Sequence, residues 1–117
     1  LDYVFGDGVY ADEADPEFLR GMKAPWLDAE GEVSITRCAV ATNTNHTTEI
    51  DYDAISADAL MLWGAEDVLQ PVAQAEQLAE AISGRATVVE LERAYHWVTE
   101  DRPTAYREHL RDFLEGE

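Results

Sequence analysis

The stretch from Asp58 to Leu91 constrains this chain more than any other. "DALMLWG" (58 to 64) is a short apolar run closed by glycine, "PVAQAEQLAEAISG" (71 to 84) spaces its apolar residues as a helix does, and "ATVVEL" (86 to 91) returns to β-branched residues. The first run lacks the polar alternation of a half-exposed strand, so it reads as a strand buried on both faces. Pro71 suits a helix start, Val72, Ala75, Leu78, Ala79 and Ile82 share one face, and Gly84 is the stop. A second strand reached through a helix lies parallel to the first. Pro103 then opens a further helix that carries Tyr106, Leu110, Phe113 and Leu114 on one face. The expected class is α/β, with parallel strands packed by helices.

The first 55 residues differ. "DPEFLRGMKAPW" (15 to 26) predicts a short helix with Asp15 as N-cap and Pro16 at its first position, ending before Pro25. "LDAEGEVSITRCAVATN" (27 to 43) predicts a second, capped by Asp28, although Gly31 weakens it. "NTNHTTEIDYD" (43 to 53) is a polar connector into the first strand.

Charge narrows the classes of function. Eight basic residues face 25 acidic ones, a net charge of −17, and only one of the eight is a lysine, Lys23. Such a field repels nucleic acid and anionic membranes, whose binding needs Lys or Arg to neutralise phosphates. The acids are spread along the chain, and their repulsion is screened only when salt shortens the Debye length to about 3 Å at 1 M. An acidic surface almost without lysine resembles that of a protein from a salt-loving organism. Apolar residues make up 46% of the chain, enough for a core, so the acidity is not that of a disordered tail. Cys38 is the only cysteine, which rules out an intrachain disulfide and a cysteine-rich zinc site. No apolar run reaches the roughly 18 residues of a membrane span and no signal peptide is recognised. A cytoplasmic protein is the expectation.

In an open parallel sheet, catalytic groups sit on loops leaving the carboxyl ends of the strands. Two such loops follow the predicted strands, "GAEDVLQP" and "ERAYHWVTEDRP", and each holds one group suited to acid–base work. Asp67 lies three residues past Gly64, and His96 five past Leu91. If the strands are neighbours, a carboxylate could accept the Nδ1–H of the imidazole and leave Nε2 free as a general base. Taken singly, an aspartate there is usually a turn residue or cap, and a histidine between aromatics a packing group. Glu66 is a competing acid.

Here the chain resembles a known family. "ALMLWGAEDVLQPVAQAEQLAEAI", "ATVVELERAYHWVTEDRPTAYREHLRDFL" and their order, over roughly residues 57 to 115, resemble the C-terminal part of an α/β-hydrolase, whose functional residues follow in the order nucleophile, acid, histidine. That resemblance implies a division into residues 1–55, the end of a helical cap segment, and residues 56–117, the last part of the hydrolase core. It assigns the acid to Asp67, the third residue past the glycine, and the base to His96, and it calls for no metal or organic cofactor. The family often places glycine before this histidine, where Tyr95 stands. The cap reading would bring "APW" and "NTNHT" to a substrate cavity through Trp26 and His46, with Trp97 as a pocket wall. The packing or surface reading of each remains open beside it.

The nucleophile has no place in this pattern. Ser34, Ser56 and Ser83 are the only serines and none lies in G-x-S-x-G; no aspartate lies in the comparable turn, and no oxyanion-hole segment is found. Three explanations compete: a C-terminal fragment whose nucleophile lies upstream, to which an opening "LDYVF" without methionine adds weight; a non-catalytic remnant serving as an interaction module; and an unrelated small α/β domain. The first leads to an enzyme acting on a small-molecule ester or similar substrate, inactive as this chain alone. An unpaired sheet edge would favour association, so a homo-oligomer is a further expectation. Phosphate loops and zinc-ligand spacing are absent from the sequence.

Overall fold

A computed structural model describes residues 9–10, 15–42 and 49–116. Helix α1 spans Pro16–Lys23 and is capped by Asp15, whose side chain accepts the Glu17 N–H at 2.7 Å. A 3₁₀ turn over Ala24–Trp26 leads to α2, Ala29–Thr42. Asp28 caps this second helix by accepting the Gly31 N–H at 2.7 Å. Gly31 is what allows the join to be so tight. A Cβ at Gly31 would lie 2.7 Å from the Trp26 Cα and against the Pro25 carbonyl, so only glycine lets the helix turn pack on that backbone. The residue that weakens the helix as a sequence therefore stays because of packing.

After a 3₁₀ turn at Tyr52–Ala54 comes β1, Ala59–Gly64; then α3, Ala73–Ala81; β2, Ala86–Leu91; α4, Val98–Asp101; and α5, Pro103–Glu115. The two strands form a parallel sheet, in register from Ala59 opposite Ala86 to Gly64 opposite Leu91. The described residues are thus a mixture of helix and strand with a small two-stranded parallel sheet. Helix α3 lies against β2, while α4 and α5 lie against β1. Helix α3 is shorter than the spacing predicts at both ends. Pro71 and Val72 form a turn, and Ile82 is already extended, so that Ser83 and Gly84 reach back to the Ile55 carbonyl at 3.2 and 2.9 Å.

Burial is uneven. The buried apolar side chains among the described residues are Val9, Tyr10, Ala75, Ile82, Leu91 and Ala94. In β1, Leu60, Met61, Leu62 and Trp63 are only half-buried, although an all-apolar parallel strand is ordinarily covered on both faces. On α5, Tyr106, Leu110 and Phe113 are half-buried, whereas Leu114, expected on the same face, is 73% exposed. By helical spacing it lies at the rim of that stripe. Among the described residues, no helix is long and apolar enough to cross a membrane.

Candidate active site

Register decides where the site forms. Gly64 and Leu91 are opposite each other at the carboxyl ends of β1 and β2, so the two following loops leave the sheet at the same level. The Ala65 N–H still bonds the Leu91 carbonyl at 3.1 Å, and the Glu66 N–H bonds the Ala94 carbonyl at 3.0 Å. The Glu66 carboxylate accepts the Ala94 N–H at 3.1 Å, so Glu66 grips Ala94 by both of its main-chain groups. Gly64 permits this approach, because a Cβ there would run into the Tyr95 carbonyl and lie 2.5 Å from the Ala94 oxygen. Glu66, the competing acid of the sequence, is thereby engaged in holding the loops together.

Asp67 is held from both sides. Its Oδ1 accepts the N–H groups of Leu69 at 2.8 Å and Gln70 at 3.0 Å, a local turn of the kind aspartate favours. Its Oδ2 lies 3.0 Å from His96 Nδ1. The Asp67 side chain is 5% exposed and that of His96 26%, so the carboxylate is shielded while one edge of the ring is open. An ionised carboxylate only accepts, so Nδ1 carries the hydrogen and Nε2 of the neutral ring has a free lone pair.

The loop after β2 is fixed by other means. Arg93 adopts φ 55°, the left-handed region, as the chain turns back over β1. The Tyr95 N–H then donates to Asp101 Oδ2 at 2.7 Å, which ties the residue before His96 to the short helix α4. Pro103 excludes α-helical geometry from the residue before it, and Arg102, at φ −135° and ψ 54°, separates α4 from α5.

His96 and Asp67 line a cavity of about 120 Å³ with Leu62, Trp63, Gly64, Gln70 and Val98. Neither Trp26 nor Trp97 is part of that lining. Trp26 is half-exposed in its 3₁₀ turn, beneath Gly31. Trp97 meets His96 edge-on, with centroids 5.6 Å apart and planes at 82°, and its opposite neighbour is Tyr10, stacked at 6.4 Å. Tyr10 meets Phe18 of α1 edge-on at 6.3 Å, so an aromatic chain runs from α1 to the imidazole. Burial, followed by the charges of Glu100 and Asp101, raises the pKa of the Tyr10 phenol. His46 lies outside the described residues.

Comparison with known proteins finds no family model, no curated protein and no solved structure that matches the chain. The chemistry must be argued from the site.

An imidazole oriented by a buried carboxylate, with its second nitrogen free beside a small cavity, can take a proton from a hydroxyl or water and return it to a leaving group. The lining contains no serine, threonine or cysteine. Ser56 and Ser83 lie before the starts of β1 and β2, at the far end of the sheet, and Ser34 and Cys38 are exposed on α2. Among the described residues, no three His, Cys, Asp or Glu side chains converge as metal ligands would. Gln70 and Val98 are not among the residues that the sequence singles out. Gln70 had a signal in its position, next to Pro71 at the end of the acid-bearing loop. Trp63 reads from the sequence as strand core or pocket wall, and Val98 as part of the loop that carries His96.

Proposed function

We propose that this chain carries the acid and the base of an α/β-hydrolase active site, with Asp67 orienting His96 and stabilising its imidazolium. The observation that carries this reading is the 3.0 Å contact from His96 Nδ1 to the shielded Asp67 carboxylate at the shared carboxyl end of two parallel strands. In an acyl transfer, His96 Nε2 takes the proton of a hydroxyl nucleophile as its oxygen attacks the ester carbonyl carbon. The imidazolium then protonates the departing alkoxide, and the same nitrogen deprotonates the water that releases the acid. With a carboxylate nucleophile, His96 acts only in the second step, on water attacking the covalent ester. The nucleophile comes from outside the described residues. Half-buried Leu60 and Met61 on β1 agree with a strand that packs against further elements.

A non-catalytic interaction module is the second reading, favoured by a cavity lining without a hydroxyl or thiol. Hydrolysis of p-nitrophenyl acetate by the polypeptide as its gene encodes it, at molar salt, separates the two. The enzyme reading predicts a fall in kcat of at least about a thousandfold in His96→Ala, and an in-frame G-x-S-x-G or G-x-D-x-G turn before residue 1 in the coding sequence. Unaltered turnover in His96→Ala would overturn it. For residues 1–117 alone no turnover is expected, and His96-dependent hydrolysis by them would place the nucleophile inside this chain.

A further inference from the structure

The third side of α3 is chemically unlike the rest of the surface. Ala75 and Ala79 form its core stripe, with Ala75 buried and Ile82 buried just past its end. Glu76 and Glu80 form an acidic, exposed stripe. Between them on the other side run Gln74, Gln77, Leu78 and Ala81, with no charge. Gln70, Gln74 and Gln77 are the only glutamines in a chain with 25 acidic residues, and all three line one cleft of about 540 Å³ with Tyr52, Trp63 and Leu78. A solvated stripe in so acidic a chain has no reason to avoid carboxylates, as its neighbour at Glu76 and Glu80 illustrates. A stripe whose groups must donate to a ligand as well as accept from it has one, since an ionised carboxylate only accepts.

The cleft adjoins the His96 cavity, since Trp63 and Gln70 line both. The Trp63 indole N–H is already spent on the Gln70 carbonyl at 2.6 Å, which leaves its ring face as the group on offer. Each glutamine amide brings two N–H donors and one carbonyl acceptor. Donors and acceptors in equal reach, beside aromatic faces and without charge, suit a ligand whose hydroxyls both donate and accept and whose C–H face is apolar. An anion meets no cation there and is repelled by the acidic surface around it. A cationic ligand finds no carboxylate in the lining.

We infer that this cleft holds a neutral, hydroxyl-rich group, a sugar or polyol, as the alcohol portion of the ester whose carbonyl His96 serves. The assignment of an ester rests on the function proposed above, but the binding itself does not, which separates the two in the test. The probe is maltotriose, titrated into the polypeptide as its gene encodes it at molar salt and followed by the ¹H–¹⁵N signals of the glutamine side-chain amides and the Trp63 indole. Shifts confined to the cleft, with half-saturation on the order of 1 to 10 mM, are expected. Gln74→Leu/Gln77→Leu, a change between residues of nearly equal helix propensity at exposed positions that removes the amide donors and acceptors, weakens binding at least about tenfold, whereas Glu76→Gln on the acidic stripe leaves it unchanged. His96→Ala leaves it unchanged as well, so that a failure of the hydrolase reading does not imitate a failure of this one. No shift up to about 50 mM, equal shifts with choline chloride or inorganic phosphate, or unaltered binding in the Gln74→Leu/Gln77→Leu protein would overturn the inference.

Discussion

Gly64→Ala should disconnect the two loops that make the site. The new Cβ would overlap the Tyr95 carbonyl and stand 2.5 Å from the Ala94 oxygen and 2.8 Å from its carbon. All of these are main-chain atoms, so no side-chain rotation relieves the overlap. Segment 94–95 has to retreat by roughly 1.4 Å at the Tyr95 carbonyl to regain the usual contact distance of about 3.5 Å. That retreat breaks both bonds between Glu66 and Ala94, at 3.0 and 3.1 Å, each contributing about 1 kcal/mol. Overpacking strain adds about 1–3 kcal/mol, and because the strain and the lost bonds are coupled the total is about 2–4 kcal/mol. Against a typical domain stability of about 5–15 kcal/mol this is a large fraction. Urea unfolding followed by far-UV circular dichroism at constant salt measures it. A loss under about 0.5 kcal/mol, the range of ordinary surface substitutions, would refute the claim that close backbone approach at Gly64 holds the site together.

Gly21→Ala is the converse: it sits inside α1 with nothing within 4 Å of a new Cβ, so the same assay should show stabilisation of about 0.5–1 kcal/mol. Tyr10 gives a pH dependence. Its raised pKa means that the folded state keeps the phenolic proton at a pH where the unfolded chain loses it. Its stabilisation is therefore complete below about pH 10 and lost as pH rises through the folded pKa. Tyr10→Phe should remove that alkaline loss in melts run across the pH range. Salt should raise the melting temperature steadily toward molar KCl, since −17 charges repel less as the Debye length falls from about 10 Å at 0.1 M to about 3 Å at 1 M. A melting temperature indifferent to salt would count against self-repulsion as a limit on stability.

The elements legible in the sequence are those whose signals are local. β1 and β2 lie within a residue of the runs that predict them, and Asp15, Pro16 and Asp28 mark helix starts through caps that need only their own neighbours. The ends of α3 were less legible because Ser83 and Gly84 answer to Ile55, a partner distant in sequence. The short helix α4 was hidden because "VTED" carries no periodic stripe and its stop is written in Pro103, which also starts α5. Asp67 and His96 could be nominated from their places after two strand ends. Their meeting needed the register, Gly64 opposite Leu91, and the close approach at Gly64, neither of which residue types specify. Trp26 and Trp97 were nominated by residue type, but what a tryptophan touches depends on tertiary contacts. The structure puts Trp63 in the cavity, Trp97 against Tyr10 and Trp26 under Gly31.

The central claim is that Asp67 fixes His96 with its proton on Nδ1 and its lone pair on Nε2. Long-range ¹H–¹⁵N correlation spectra of the three histidines, with His96 assigned through His96→Gln, read the tautomer directly. A neutral His96 protonated at Nδ1, which loses that preference in Asp67→Asn, is the predicted result. A His96 protonated at Nε2, or one whose spectrum is indifferent to Asp67→Asn, would contradict it.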